Sequence, residues 1–123
     1  MCIPNQAAQV CTTFISILSI NLEFNYFQVE LNIISNITCY ENYKTLDIQI
    51  RKDMICTYLG PLGTENVCSG DSGSPLMVNR KGRLVHVGLT SFTLADCTSP
   101  FPAVYSRTAF FLDWIKAALT YVQ

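Results

Sequence analysis

The stretch CSGDSGSPL, residues 68–76, places one serine, Ser72, between two glycines and beside an aspartate. Attack of a serine hydroxyl on an amide carbonyl creates an oxyanion, which needs fixed hydrogen-bond donors about 3 Å away. Backbone N–H groups in a tight turn can supply these donors, and glycine permits both the turn and the close approach of a substrate. In GDSG the donors would be the N–H groups of Gly70 and Ser72, and Gly73 would leave room for the substrate. The stretch therefore predicts a nucleophilic serine suited to acyl transfer.

A serine nucleophile needs a general base within hydrogen-bond reach, and the sequence contains one histidine, His86. The apolar runs on either side of NRKG (79–82) predict a β-hairpin that sets His86 opposite Met77. Met77 lies five residues along the chain from Ser72, which at 3.3 Å per residue in a strand corresponds to about 16 Å. We therefore expect His86 to be a strand residue without a catalytic role.

The composition is that of one globular domain. Half of the 123 residues are hydrophobic, 14% are charged and the formal net charge is -1. This balance disfavours disorder and gives no electrostatic reason to expect nucleic acid as a partner. No apolar run reaches the roughly 18 residues that a membrane-spanning helix needs, so no membrane partner is expected either.

Six cysteines in so short a chain predict an oxidising, extracellular compartment and a disulfide framework. NIT (36–38) is an acceptor sequence for N-glycosylation at Asn36, which agrees with secretion. TTFISILSI (12–20) is interpreted as a strand rather than a signal peptide, because no Lys or Arg precedes it. With a single histidine and no Cys-x-x-Cys pair, neither a metal site nor a cofactor is expected.

Short strands and turns account for most of the chain. FQVELNI (27–33) alternates apolar and polar residues, which predicts a half-buried strand. The inward face of this strand would consist of Phe27, Val29, Leu31 and Ile33. GPLGTENVCSGDSGS (60–74) has the composition of a loop. Further strands are predicted at DMICTYL (53–59), on both sides of the NRKG turn within 75–92, at AVYSR (103–107) and, from alternation alone, at LDIQIR (46–51).

Only the C-terminal segment, 108–123, has a helical period, which predicts a helix docked on the core through its apolar stripe. The stripe consists of Phe110, Phe111, Trp114, Ile115, Ala118 and Leu119. The residues alone therefore predict an all-β domain with one terminal helix.

Taken together, these motifs resemble the chymotrypsin-like (trypsin-fold) serine peptidases. The resemblance covers residues 39–120, whereas 6–26 match poorly and CIPN (2–5) is similar to the segment that joins the family's two β-barrels. It implies an all-β fold, one antiparallel Greek-key β-barrel that is the second of the family's two, followed by an α-helix. The motifs, in the family's order and spacing, are MIC (54–56), CSGDSGSPL (68–76), TSF (90–92), FPAVYSR (101–107) and FLDWI (111–115). The implied division of a partial peptidase domain, 1–123, is a poorly matching segment 1–26, the barrel 27–107 and the helix 108–121.

The resemblance implies that Ser72 is the nucleophile and that the N–H groups of Gly70 and Ser72 form the oxyanion hole. It implies that the Asp71 carboxylate pairs with a new α-amino group after activation cleavage. The family's catalytic His and its orienting Asp lie upstream of CIPN, on the N-terminal barrel. We therefore expect the chain as written not to turn over substrate, and we expect the missing barrel to be its partner.

Substrate-binding positions are implied as well. Ser91, Phe92 and Thr93 are similar to the segment that pairs with substrate backbone. Asn66 would lie near the base of the primary specificity pocket, with Thr93 and Ala103 on its walls. Because a basic-residue cutter carries Asp where Asn66 stands, and glycines where Thr93 and Ala103 stand, we expect a narrow pocket without a strong preference for Lys or Arg. A loop aligned one residue out of place is the alternative for Thr93 and Ala103.

The cysteines fit the same frame. The resemblance implies disulfide bonds Cys39–Cys56 and Cys68–Cys97 within the chain. Cys2 would bridge to a pro-region or light chain, and Val78 occupies the position of the usual partner of Cys11.

The sequence thus favours the C-terminal part of a secreted serine endopeptidase that hydrolyses protein or peptide substrates through an acyl-enzyme on Ser72. A non-catalytic homologue that acts by binding partners is the first alternative, and a replaced His or Asp upstream would identify it. An independent disulfide-stapled binding module is the second, and it predicts a monomer with all six cysteines paired.

Overall fold

Seven antiparallel strands form one sheet in the part of the chain that the structure describes. The computed structural model describes residues 8–18, 21–60, 66–68, 70–94 and 99–122, with side chains described from residue 30 onward. The order across the sheet is β2-β1-β5-β6-β7-β4-β3. In chain order the strands are β1 (Ala8–Leu18), β2 (Asn21–Leu31), β3 (Ile33–Ile34), β4 (Met54–Thr57), β5 (Pro75–Arg80), β6 (Arg83–Phe92) and β7 (Ala103–Arg107).

The predicted fold class, antiparallel β structure followed by a C-terminal helix, is confirmed. The sheet is open, with β2 and β3 as its edge strands. The predicted boundary between residues 26 and 27 falls inside β2, which pairs with β1 along its whole length. The division of the chain at that point stays a prediction.

The hairpin of β5 and β6 forms around a two-residue turn, Lys81 and Gly82. Both residues have a positive φ, 53° and 78°, which is the turn conformation that matches the twist of two antiparallel strands. The N–H of Gly82 donates to the side-chain oxygen of Asn79 at 2.9 Å. The register pairs Met77 with His86, as the sequence predicted.

The strand predicted at 27–33 is interrupted at Asn32. The Asn32 carbonyl accepts a hydrogen bond from the N–H of Tyr58 at 2.8 Å, and the alternation of side chains shifts there by one residue. Leu31 is buried, but Ile33 is 42% exposed and Ile34 takes the half-buried position. The predicted inward position of Ile33 was therefore wrong, and the side chains of Phe27 and Val29 lie outside the described residues.

The segment LDIQIR (46–51) is not a strand. A 3₁₀ turn spans Lys44–Leu46, and Asp47 follows it with a φ of 56°. This left-handed residue breaks the extended backbone that the alternation predicted. Ile48 and Ile50 still pack against the core from an irregular segment. The alternation therefore correctly predicted the burial of these two side chains, but the predicted strand was wrong.

The strand pair β4 and β7 is buried on both faces. Ile55 and Tyr105 belong to one core cluster, while their neighbours Cys56 and Val104 belong to the other. Because successive strand residues point to opposite faces, a run of buried residues in each strand fills both clusters. The first cluster contains Leu31, Ile55, Val67, Leu76, Ala103 and Tyr105, and the second contains Cys39, Tyr43, Cys56 and Val104.

Among the described residues, two α-helices flank the sheet. The helix α1 (Asn36–Tyr43) was not predicted; its first turn is capped by the Ser35 hydroxyl oxygen, which accepts from the N–H of Thr38 at 3.1 Å. The terminal helix α2 (Leu112–Tyr121) follows a 3₁₀ turn at Thr108–Phe111. No helix within the described ranges is long and apolar enough to cross a membrane.

The apolar stripe of the C-terminal helical segment is not docked as predicted. Phe110, Trp114 and Leu119 are 58%, 71% and 61% exposed, while Phe111 and Ile115 are only half-buried. A cavity of about 320 Å³ lies between α2 and strand β6, so the helix does not lie flat on the sheet. The period of the stripe correctly predicted the helix, but the full docking of its apolar face was wrong.

Candidate functional site

Ser72 lies at the tip of a tight turn that two glycines make possible. Gly70 and Gly73 have φ angles of 97° and 83°, which L-residues with a side chain rarely adopt. Ser72 between them is exposed. The turn therefore leaves Ser72 accessible to solvent.

Backbone hydrogen bonds close this turn and fasten it to strand β6. The N–H of Asp71 donates to the Cys68 carbonyl at 3.0 Å, and the N–H of Ser74 donates to the Asp71 carbonyl at 2.8 Å. The N–H of Gly73 donates to the Thr90 carbonyl at 2.9 Å, and the N–H of Thr90 returns a bond to the Ser74 carbonyl at 2.9 Å. Sequence analysis gave Thr90 no role, although it belongs to the TSF motif.

Within the described residues, the N–H groups of Gly70 and Ser72 donate no hydrogen bond, whereas those of Asp71, Gly73 and Ser74 do. An N–H without a protein partner is available to an incoming acceptor. These two donors are the pair that the sequence assigns to an oxyanion, and that role stays a prediction.

Asp71 supports the turn from within. The residue is 8% exposed, and its Oδ2 accepts a hydrogen bond from the N–H of Cys68 at 2.7 Å. Its negative charge lies close enough to Tyr105 to contribute to the raised pKa of that phenol. The carboxylate thus accepts at least one hydrogen bond from the backbone of its own turn.

Burial raises the pKa of Tyr105 far above its ordinary value. The hydrogen bond to the Thr57 hydroxyl, at 2.9 Å, opposes this shift, and the charge of Asp71 adds to it. Because the folded-state pKa is raised, the stability that the neutral phenol contributes is complete below the unfolded-state pKa of about 10 and is lost as the pH rises above it.

We expect the free energy of unfolding to fall above pH 10, by up to about 1.4 kcal/mol per pH unit for this one group. Urea unfolding of the wild type and of Tyr105→Phe between pH 8 and pH 11 tests this, and the variant should show the shallower decline. Tyr121→Phe is the control, because Tyr121 is 89% exposed. Equal slopes in all three proteins would contradict the prediction.

A cavity of about 180 Å³ lies beside Ser72. It brings together four of the residues singled out in the sequence, Ser72, Ser91, Phe92 and Thr93, and none of the described residues that line it is charged. The complete described lining is Val67, Cys68, Ser72, Thr90, Ser91, Phe92 and Thr93.

Asn66 and Ala103 are not among these lining residues. The Asn66 side-chain nitrogen donates to the carbonyls of Phe101 at 2.9 Å and Ser99 at 3.4 Å, and its oxygen accepts from the N–H of Val67 at 2.8 Å. Ala103 is fully buried in the first core cluster. Asn66 thus holds the 99–101 segment against the segment before Ser72, and its substrate contact stays a prediction.

His86 is engaged elsewhere. Its Nδ1 lies 2.7 Å from the hydroxyl of Thr108, and its backbone pairs with Met77 on the hairpin. His86 is therefore a strand residue, as predicted, and none of these contacts involves Ser72.

The described cysteines are all disulfide-bonded. Cys39 and Cys56 are joined to each other, the pairing that the resemblance implied. Cys68 is also disulfide-bonded, but Cys97 lies outside the described residues and the Cys68–Cys97 pairing stays a prediction. Cys2 and the side chain of Cys11 lie outside them too.

The side chain of Asn36, at the start of α1, makes three hydrogen bonds to other segments of the chain. Its nitrogen donates to the carbonyls of Arg51 at 2.9 Å and Met54 at 3.1 Å, and its oxygen accepts from Arg107 at 3.0 Å. A glycan would leave a single hydrogen on that nitrogen, so attachment would cost at least one of these bonds. N-glycosylation at Asn36 stays a prediction.

Across the described ranges, no group of three or more His, Cys, Asp or Glu residues is arranged to hold a metal ion. The geometry of the Ser72 turn and the cavity beside it make this the candidate site, and the chemistry it can support is nucleophilic attack with stabilisation of an oxyanion.

The family model described as Trypsin matches residues 12–115. The chain is 37% identical over 97 residues to the clotting factor G beta subunit of Tachypleus tridentatus, covering 72% of this chain and 31% of that protein. It is 36% identical to the Spaetzle-processing enzyme of Drosophila melanogaster (75% and 24% covered) and 40% identical to serine protease 1 of the same species (72% and 30% covered). The chain thus spans less than a third of the length of these relatives.

Proposed function

The chain belongs to the trypsin family of serine peptidases, and from this membership we propose that it is the nucleophile-bearing part of a secreted serine endopeptidase. Ser72 would attack the scissile carbonyl and form an acyl-enzyme. The observation that carries the proposal is the turn itself: Ser72 is exposed, and the N–H groups of Gly70 and Ser72 have no partner among the described residues. Both donors required for an oxyanion are thus present beside the nucleophile.

The proposed reaction has two steps, acylation of Ser72 and hydrolysis of the acyl-enzyme, and one histidine transfers the proton in each. The Ser72 hydroxyl gives its proton to a histidine as its oxygen bonds to the carbonyl carbon, and that proton then goes to the leaving amine as the peptide bond breaks. Water attacks the resulting ester with the same histidine as base, which releases the acid and restores Ser72. The histidine and its orienting aspartate would come from the N-terminal barrel, the proposed partner of this chain.

The cavity beside Ser72 supports a preference for small, uncharged side chains on the acyl side of the scissile bond. At about 180 Å³ it is smaller than an ordinary ligand pocket of about 300–1,000 Å³. No charged residue is found in its described lining, and Thr93 lies on its wall. Burial of a Lys or Arg side chain there would leave its charge unpaired, which costs several kcal/mol.

Extracellular localisation and activation by cleavage complete the proposal. One relative is named as a clotting factor subunit, and the six cysteines suit an oxidising compartment. In the activated protein Asp71, which now accepts from the N–H of Cys68, would pair with a new α-amino group. The cation would give the Asp71 carboxylate a charge-assisted hydrogen bond and strengthen the turn around Ser72.

The deciding experiment is the sequence of the native transcript through its 5′ end. We expect codons upstream of Met1 that encode a His in an Ala-Ala-His-Cys-like setting, then an Asp, with a cleavage site that frees an apolar N-terminus. The product of that transcript should cleave peptides after small uncharged residues, and its Ser72→Ala variant should not. An intact transcript that begins at Met1, or one in which the His is replaced, would favour the non-catalytic binding protein instead.

A further inference from the structure

A second cavity, of about 480 Å³, lies on the side of the sheet near the start of α2 and shares none of its described lining with the Ser72 cavity. Its volume falls within the range of about 300–1,000 Å³ that small-molecule sites occupy. Its floor is aliphatic, formed chiefly by Ile55, Val78 and Val87. This floor can accept a hydrocarbon chain of modest length.

The rim of this cavity carries positive charge. The charge comes from Arg80 and Arg107, which line it, and no acidic residue does so among the described residues. In the described part of the chain, neither arginine forms a salt bridge; the two ion pairs found there join other residues. An aliphatic floor under unpaired guanidinium groups is complementary to a molecule with an apolar tail and an anionic head.

Arg107 is held in place before any ligand arrives. Its Nε donates to the Met54 carbonyl at 2.9 Å, and one terminal nitrogen donates to the Asn36 side-chain oxygen at 3.0 Å. A guanidinium has five N–H donors, so three remain for a carboxylate. A fixed donor set loses little entropy on binding, which favours affinity.

We propose that this cavity binds a medium-chain fatty acid, with the alkyl chain on the Ile55, Val78 and Val87 floor and the carboxylate at Arg80 and Arg107. This proposal is independent of peptidase activity, because it uses no residue of the Ser72 turn.

Titration calorimetry of the folded chain with decanoate, below its micelle concentration, tests the proposal. We expect saturable binding of decanoate, with no binding of acetate, which lacks the tail, or of decyltrimethylammonium, which reverses the charge. Arg80→Gln should weaken decanoate binding roughly five- to tenfold, since one charge-assisted contact is lost at an exposed position. Arg83→Gln is the matched control, because Arg83 pairs with Arg80 across the hairpin but does not line the cavity.

A second variant fills the cavity and leaves its two arginines unchanged. Ala109 lines it and is exposed, so Ala109→Phe should abolish binding while the circular dichroism spectrum and melting temperature stay close to wild type. The proposal is overturned if decanoate does not bind saturably, if decyltrimethylammonium binds equally well, or if Arg80→Gln and Ala109→Phe, both folded, bind decanoate like the wild type.

Discussion

A fluorophosphonate probe is expected to label the purified 123-residue chain no faster than its Ser72→Ala variant, and on the order of a thousandfold more slowly than an intact trypsin, because the one histidine of the sequence, His86, contacts Thr108 and not Ser72. The probe phosphonylates a serine oxygen and expels fluoride, so the rate reports activation of the hydroxyl directly. Ser72 is exposed, and limited access of the probe therefore cannot explain a missing signal.

The geometry of His86 is the reason for this expectation. Its pairing with Met77 places it in β6. Along that strand it lies four residues, or about 13 Å, from Thr90, whose carbonyl accepts from the N–H of Gly73 beside Ser72. A His86→Gln variant serves as the matched control and should leave the labelling rate unchanged. Labelling that depends on Ser72 and is lost in His86→Gln would show that a base is present within the chain.

Local signals in the sequence predicted the elements that position Ser72. The turn residues Lys81 and Gly82 set the β5–β6 hairpin and its register, and the AVYSR motif matches β7 residue for residue. The glycines of CSGDSGSPL predicted the tight turn, since a positive φ is a property of the single residue. Such features depend on neighbours in sequence, and sequence reasoning recovers them.

Features that depend on distant contacts were not recovered. The hydrogen bonds from the Asn66 side chain to the carbonyls of Ser99 and Phe101 join segments more than 30 residues apart, and sequence analysis did not predict them. Thr90 was given no role, although it holds the turn against β6. The hydrophobic periodicity of the sequence indicates neither set of bonds. It marks a residue as polar, but it does not indicate whether the hydrogen-bond partner is water, substrate or backbone.

The same limit explains the helices. An 8-residue helix such as α1 is too short to be stable by itself, and two buried residues, Cys39 and Tyr43, are what attach it to the core. The stripe of α2 had the correct period, but a period reports which residues share a face and not what covers that face. How closely the helix docks depends on the surface that faces it, and the sequence of the helix alone gives no information about that surface.

The attachment of α1 leads to the largest expected effect on stability. The disulfide bond between Cys39 and Cys56 closes a loop with a sequence separation of 17 and joins α1 to β4. In the chain-entropy account, loss of such a cross-link costs about 3 kcal/mol, because the unfolded chain regains the freedom that the loop removed. Both cysteines are fully buried beside Tyr43 and Val104, so truncation also leaves a small unfilled volume in the core.

We therefore expect Cys39→Ala/Cys56→Ala to lower the free energy of unfolding by about 3 kcal/mol or more and the melting temperature by roughly 10 °C. Urea and thermal unfolding followed by circular dichroism measure both quantities. The matched control is Thr45→Ala/Gln49→Ala, two exposed positions inside the same loop, which should change the free energy by less than about 1 kcal/mol. A double cysteine variant as stable as this control would mean that α1 and β4 are held together by the packing of Tyr43 and by its hydroxyl, which donates to the Pro102 carbonyl, rather than by the cross-link.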